Sequence, residues 1–302
     1  MNEEKKMILD MLKEGKITVE QASDLLEAVG KDKSKNNEES FVDKLSTSFE
    51  KIMKKTSETI SNFDFDIDLD SVNIPNIYHI NSQKTENQTK IDDDVNAIEI
   101  DLINGSLDIE RAQENHIMVD EKVYFKNKED QVNDYLNIEV VEDKLIVSVN
   151  ENYKSLDASA NVKLYLGKNI YDSLDINIVN GSVYLSNISG ENANVDLVNG
   201  SIRIDGLNMK KVDLSSKAGS IKIFKIVDAK EVNIGTQFGS VVIDTNEFNK
   251  NIKALIKSSS YSIADKFKNK LQTKDGYQVS TNPEESDLDL DIKSAFGRVS
   301  IR

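Results

Sequence analysis

From Leu174 the chain reads LDINIVNGSVYL, and from Ala193 it reads ANVDLVNGSIRI. Apolar residues alternate with polar ones at Leu174, Ile176 and Ile178, lapse at Asn180-Gly181, and resume at Val183 and Leu185. A period of two marks strands with one buried face, so each stretch predicts two strands on either side of a turn. Aligned on the glycine, the pattern recurs at Gly105, Gly181, Gly200, Gly219, Gly239 and Gly297. The central spacings are 19, 19 and 20 residues (200−181, 219−200, 239−219). The interval between Gly105 and Gly181 is 76 residues, four such spacings, with LNIEVVEDKLIVSV near its middle and Asp143 in the glycine slot. A further copy, IKALIKSSSYSIAD, places Tyr261 there.

Two architectures fit this repeat. Asn-Gly between alternating strands is a strong hairpin signal. The hairpin would pair Ile178 with Val183 and Ile176 with Leu185, which keeps these four on one face. Other copies, however, carry Ala218, Phe238 and Phe296 where Asn180 stands. A type I′ turn needs φ > 0 at that position, which is costly for Ala or Phe. A solenoid corner needs only the glycine to be permissive. One copy also buries too few side chains to offset the ordering of nineteen residues, so its strands must pair with neighbouring copies. The expected fold is mainly β, a single-stack parallel β-solenoid of about 19–22-residue coils over residues 91–302. Its corners are Asn104, Gly105, Asn180, Gly181, Asn199, Gly200, Gly219, Gly239 and Gly297. The three Asn-Gly-Ser tripeptides formally match a glycosylation acceptor; their equivalent places in the repeat point to turns.

The first ninety residues follow another period. EEKKMILDMLKEGKITVEQASDLLEAVG predicts a helical hairpin over residues 1–30. Met7, Ile8, Met11 and Leu12 form one apolar face, and Thr18 with Gln21 makes a capping box for the second helix. Helices this short bury little alone, so the hairpin is expected to bind a protein partner or to self-associate. A polar linker covers residues 31–90. Within it, Phe41, Leu45, Phe49 and Ile52 recur at helical spacing and predict an amphipathic helix over about 39–61. These four are the candidate contact for a membrane surface or a partner. FDFDIDLD predicts a short strand over about 63–70, and residues 81–94 read as a loose polar stretch.

Composition narrows the function. The chain has 302 residues and a net charge of −15, from 53 acidic against 38 basic residues. A large nucleic-acid-binding face needs clustered Lys and Arg, so none is expected. There is no cysteine, and the two histidines lie far apart, so no thiolate or multi-histidine metal site can form. No cofactor is expected. The charged N-terminus lacks a signal peptide's apolar region, and no run of 18 apolar residues exists. The expected location is cytoplasmic or peripherally envelope-associated.

Two motifs suggest a family. MLKEGKITVEQASDLLEAV resembles the short helical N-terminal domain of the YvlB and LiaX-like bacterial proteins. NGSVYL, AGSIKI and VKLYLGKN resemble the β-strand-repeat domain, labelled an adhesin, that follows it in that family, with Gly167 where the family has proline. The resemblance implies a link to cell-envelope stress and, in LiaX-like members, to cationic antimicrobial peptides. It brings no catalytic residues.

The expected function is therefore a non-enzymatic binding or scaffold protein of the envelope stress response that senses cationic peptides. The proposed acidic row is Asp175, Asp196 and Asp213, read as one outward slot repeating up the stack, with Asn233 one coil on. The alternative is a carbohydrate-active or adhesin-type solenoid. The absence of tryptophan and aromatics of only 6%, thin for stacking sugars, count against the carbohydrate-active reading, and the lack of a signal-peptide pattern counts against the adhesin reading.

Overall fold

The computed structural model describes residues 83–112, 116–125, 132, 134–167 and 170–302. The chain divides into two compact units, residues 1–67 and 68–302, and all described residues belong to the second. The helical hairpin over 1–30, the helix over 39–61 with Phe41, Leu45, Phe49 and Ile52, and the strand over 63–70 lie outside the described residues.

The described residues are mainly β, 20 strands in one open sheet with a single 3-10 turn at Glu151–Tyr153. The repeat decides how they pair. β7 (Tyr171–Ser186) runs straight through its Asn-Gly rather than folding back on itself. Alongside it, in parallel, lie β8 (Ser189–Asn199) with β9 (Ile202–Asp205), then β10 (Leu207–Ala218) with β11 (Ile221–Ile223). Next come β13 (Glu231–Phe238) and β14 (Val241–Ile243), while the short β12 (Ile226–Asp228) adds to the start of β10. Equivalent positions meet across the tiers. Ile176 faces Val195, then Leu214, then Ile234, and past the glycine Val183 faces Ile202, then Ile221, then Val241. All eight are buried, as alternation requires.

The glycine column explains why the repeat insists on its spacing. A Cβ on Gly181 would lie 1.8 Å from the carbonyl oxygen of Gly105, and one on Gly200 would lie 1.4 Å from that of Gly181. Gly219, Gly239 and Gly297 each meet the preceding tier's glycine oxygen in the same way, at 1.8, 1.8 and 2.0 Å. No side chain fits at such distances. Gly200 also has φ of +143°, which L-residues rarely adopt.

The chain does not stack its tiers in sequence order. Gly105, in β2 (Ala97–Arg111), faces Gly181 directly, so the 76 residues between them are not four tiers. They hold one, placed on the far side of β2. β5 (Lys144–Val149) pairs with the first half of β2, and β6 (Ala158–Leu166) pairs with the second. Ala160, not Asp143, meets Gly105. Asp143 instead sits in the tight turn after β4 (Leu136–Val141), where Glu142 takes φ of 59° and the strands form an antiparallel hairpin. A corner that admits almost no side chain excludes Asp143, and a two-residue hairpin accepts it.

The other end mirrors this. β19 (Leu288–Phe296) and β20 (Arg298–Ile301) slot between β13/β14 and the pair β15 (Ile252–Lys257) with β16 (Ser260–Ile263). Tyr261 faces Val299, two positions beyond Gly297, and is therefore not in the glycine slot. Its ring stacks on that of Tyr277, with centroids 4.6 Å apart.

Antiparallel strands finish the sheet. β3 (Ile117–Phe125) pairs with β6, and β1 (Gln83–Ile91) pairs with β3. β18 (Gly276–Ser280) joins β15 and carries β17 (Asn269–Thr273) on its outer edge. Residues 83–91 thus form a strand where the sequence QKTENQTKI suggested a loose segment. Only Ile91 of the nine is buried, so there was no alternation to read. Polar and lysine-bearing edge strands of this kind discourage further strand pairing.

Two predictions follow from this packing. Gly200→Val should destabilise the domain by more than about 3 kcal/mol in urea melts, because both its contacts and its φ reject a branched side chain. A variant melting with the wild type would refute the column. The second concerns Glu121, which lies on the buried face of β3. Asn87 donates to its Oε1, while Oε2 is buried without a partner among the described residues. Burial raises its pKa, with Asp134 adding to the rise and Asn87 opposing it. A carboxyl raised in the folded state contributes most below its unfolded pKa and loses that contribution as pH rises through the folded value. Glu121→Gln should therefore gain stability relative to wild type as pH increases from acidic to neutral. Parallel melts with a pH-independent difference would contradict the assignment.

Candidate functional site

Each parallel tier shows alternate residues to solvent, so the outward face of the sheet is a set of rows that cross the strands. One row reads Glu99, Asp175, Asn194, Asp213, Asn233 and Asp291. The next reads Asp101, Asn177, Asp196, Ser215 and Gly235. Asp175 and Asp213 thus share a row with Asn194 between them, and Asn233 follows as expected. Asp196 does not belong to it. Asp196 stands four residues before its glycine, whereas Asp175 and Asp213 stand six before theirs, which moves it one row over.

Glu99 and Asp175 face each other directly, and elsewhere an amide or hydroxyl stands between the carboxylates of a row. Asn177 Nδ2 donates to Asp101 Oδ1 at 2.9 Å, and Asn233 Nδ2 donates to Asp213 Oδ1 at 2.8 Å. Asp196 accepts from Ser215 Oγ and from Asn194 Nδ2. Glu99 is paired with Lys144 at 2.9 Å. In the row of Asp101 and Asp196 a self-repelling ladder of negative charge is replaced by alternating acceptor and donor, and each of these two carboxylates accepts a hydrogen bond from a neutral neighbour.

The third row, nearest the corner, is aliphatic. Ile103, Val179 and Val198 stand two residues before Gly105, Gly181 and Gly200, and Lys217 takes that place in the following tier. Val179 is 43% exposed, unusual for a strand valine beside a packed core. Beyond it the corner asparagines form a ladder of their own. Asn199 Nδ2 donates to Asn180 Oδ1 at 2.8 Å, Asn180 donates to Asn104 at 2.9 Å, and Asn104 donates to the Ala158 carbonyl at 3.1 Å. These bonds account for the Asn-Gly-Ser tripeptides.

The acidic and aliphatic rows run along the floor of a groove of about 940 Å³. Asn150, Glu151 and Lys154, at the 3-10 turn Glu151–Tyr153, also line it, because the tier of β5 and β6 passes from one strand to the next through residues 150–157 instead of a tight Asn-Gly step. Four carboxylates line the groove (Glu99, Asp101, Glu151 and Asp196) against two lysines, Lys154 and Lys217. Glu151 and Lys154 pair with each other at 2.6 Å. Asp101 and Asp196, held by neutral donors, therefore set the negative character of the floor.

Asp101, Glu151, Ile103, Val179 and Val198 were not among the residues the sequence singled out. Asp101 and Asp196 both lie four places before a repeat glycine, so the alignment held that signal. It could not show that the two tiers lie close in space.

Residues 3–34 match the SHOCT-like domain family. No curated protein matches the chain. Among solved structures, a candidate cell adhesion protein from Clostridium sporogenes is similar at 11% identity and a TM-score of 0.44, covering 73% of this chain and 98% of that one. A candidate adhesin from Bacteroides fragilis shows 12% identity and a TM-score of 0.37, covering 73% and 97%. A candidate lipid-binding protein from Parabacteroides distasonis shows 11% identity and a TM-score of 0.30, also covering 73% and 97%. At these identities and scores the likeness says nothing of a shared ligand.

Proposed function

We propose that the chain is a non-enzymatic binding scaffold whose β-domain is a single-stack solenoid, and that its groove takes a basic, partly apolar polypeptide segment. One observation carries this reading, an acidic row lying beside an aliphatic row on the floor of a single groove. Lysine or arginine side chains would meet Asp101 and Asp196, and apolar side chains would cover Val179 and its neighbours. The oriented carboxylates support binding, since groups already held in place lose little freedom when a ligand arrives. The net charge of −15 adds steering of a cationic partner over longer range.

The wider role we propose is in the bacterial envelope stress response, with residues 1–30 as the associating module. The SHOCT-like match over residues 3–34 supports a separate N-terminal module. Among the described residues no helix is long and apolar enough to cross a membrane, and a peripheral position at the envelope fits a sensor of cationic peptides.

The test is binding of a synthetic lysine–leucine peptide, followed by calorimetry at low and high salt. Asp101→Asn/Asp196→Asn should weaken binding by about tenfold at low salt and flatten its salt dependence. Val179→Asn should weaken it with the salt dependence unchanged. Wild-type affinity that is unaffected by either substitution would reject the groove as the site.

A further inference from the structure

The two floor carboxylates have a spacing that selects the ligand's conformation. Asp101 faces Asn177, and Asn177 faces Asp196, so the carboxylates stand two tiers apart. Neighbouring strands lie about 4.7–4.9 Å apart, which puts the pair at about 9.5 Å. The aliphatic row runs beside them, two residues further along each strand, at about 6.7 Å. A ligand in this groove therefore has to present cations every ~9.5 Å along one edge and apolar groups along the adjacent edge.

Three backbone conformations can be compared with that requirement. A β-strand repeats a face about every 6.7 Å and points its intermediate residues away, so it misses the second carboxylate. An α-helix offers same-face positions at about 6 Å and 10.5 Å, but its diameter of about 10–12 Å exceeds the separation of the two rows. A polyproline II segment has three residues per turn and a rise of about 3.1 Å, so position i+3 returns to the same edge after about 9.3 Å. Its adjacent edge carries residues i+1 and i+4, facing Ile103 and Val198. It has no internal hydrogen bonds, and its backbone stays available to Asn177 and Ser215 on the floor.

We infer that the groove recognises an extended, polyproline II-like peptide carrying a basic residue at every third position followed by an apolar one. The inference rests on the groove reading above and specifies its ligand. Lys217 ends the aliphatic row one tier beyond Val198, and Asn150, Glu151 and Lys154 line the groove beyond its other end. The recognised unit is therefore short, about two turns of polyproline II, or roughly six residues.

The experiment compares a (Lys-Leu-Pro)n repeat peptide with a scrambled peptide of identical composition that breaks the three-residue period. Each is titrated against wild type, Asp101→Asn/Asp196→Asn, and the control Asp265→Asn/Asp275→Asn. The controls change two exposed acids away from the groove and match the charge removed. The periodic peptide should bind wild type about tenfold more tightly than the scramble, and Asp101→Asn/Asp196→Asn should abolish that preference while the control retains it. Equal binding of both peptides, still lost in Asp101→Asn/Asp196→Asn, would overturn the periodic register and leave the groove reading standing. Equal losses in the groove and control variants would overturn the groove reading itself, because only bulk charge would then be acting.

Discussion

The structure depends on one close approach. At each corner the carbonyl oxygen of one tier's glycine occupies the space where the next tier's Cβ would lie, at 1.4 Å for Gly200 on Gly181 and 1.8 Å for Gly181 on Gly105. A slip of one residue would drive a side chain into that oxygen and turn the buried aliphatic positions outward at the same time. Register is thus fixed twice, by sterics at the corner and by burial along the strands. The outward rows, including the acidic and aliphatic ones, inherit that register without specifying it themselves.

Around this constraint the corner is completed in two ways. In the tiers of Gly105, Gly181 and Gly200, the residue three before the glycine is Leu102, Ile178 or Leu197, and asparagines bond to one another along the outside. From Gly219 onward that residue is Ser216, Thr236 or Ser294. Its hydroxyl donates to the glycine carbonyl of the neighbouring tier, at 2.8, 3.2 and 3.2 Å respectively. The outer position then becomes Ala218, Phe238 and Phe296, with the two phenylalanine rings stacked 5.2 Å apart. A corner held by buried hydroxyls has less use for asparagines, so its surface can change character. The groove lies on the asparagine side of this switch and ends at Lys217, beside Ala218.

Out-of-order stacking makes the groove. Had residues 112–170 formed successive tiers, Asp101 would lie far from Asp196. Because β2 docks directly on β7, the first repeat in the chain lies two tiers from the third. The tier of β5 and β6 then brings its longer crossing to line the same groove. Both terminal repeats are enclosed in this way, so each is paired on both sides, and antiparallel strands cover β6 and β15 beyond them.

Much of the fold was legible in the sequence. Period-two alternation identified the buried faces, and Ala218, Phe238 and Phe296 in the asparagine slot argued against hairpins, as β7 running through its Asn-Gly bears out. Those readings succeeded because alternation and corner sterics are local. The sequence misplaced Asp143 and Tyr261, because a repeat template cannot distinguish a tier from a hairpin that shares its apolar spacing. It missed β1, whose residues are held by backbone hydrogen bonds and carry no hydrophobic pattern. It also aligned Asp196 with Asp175, where a strict count from the glycine would have placed Asp196 with Asp101. The sequence alone therefore determined the alternating strands of the repeat, their buried faces and the glycine column. Only the tertiary structure decided which tiers are neighbours, because that choice rests on pairings between residues up to 76 positions apart that no local pattern encodes.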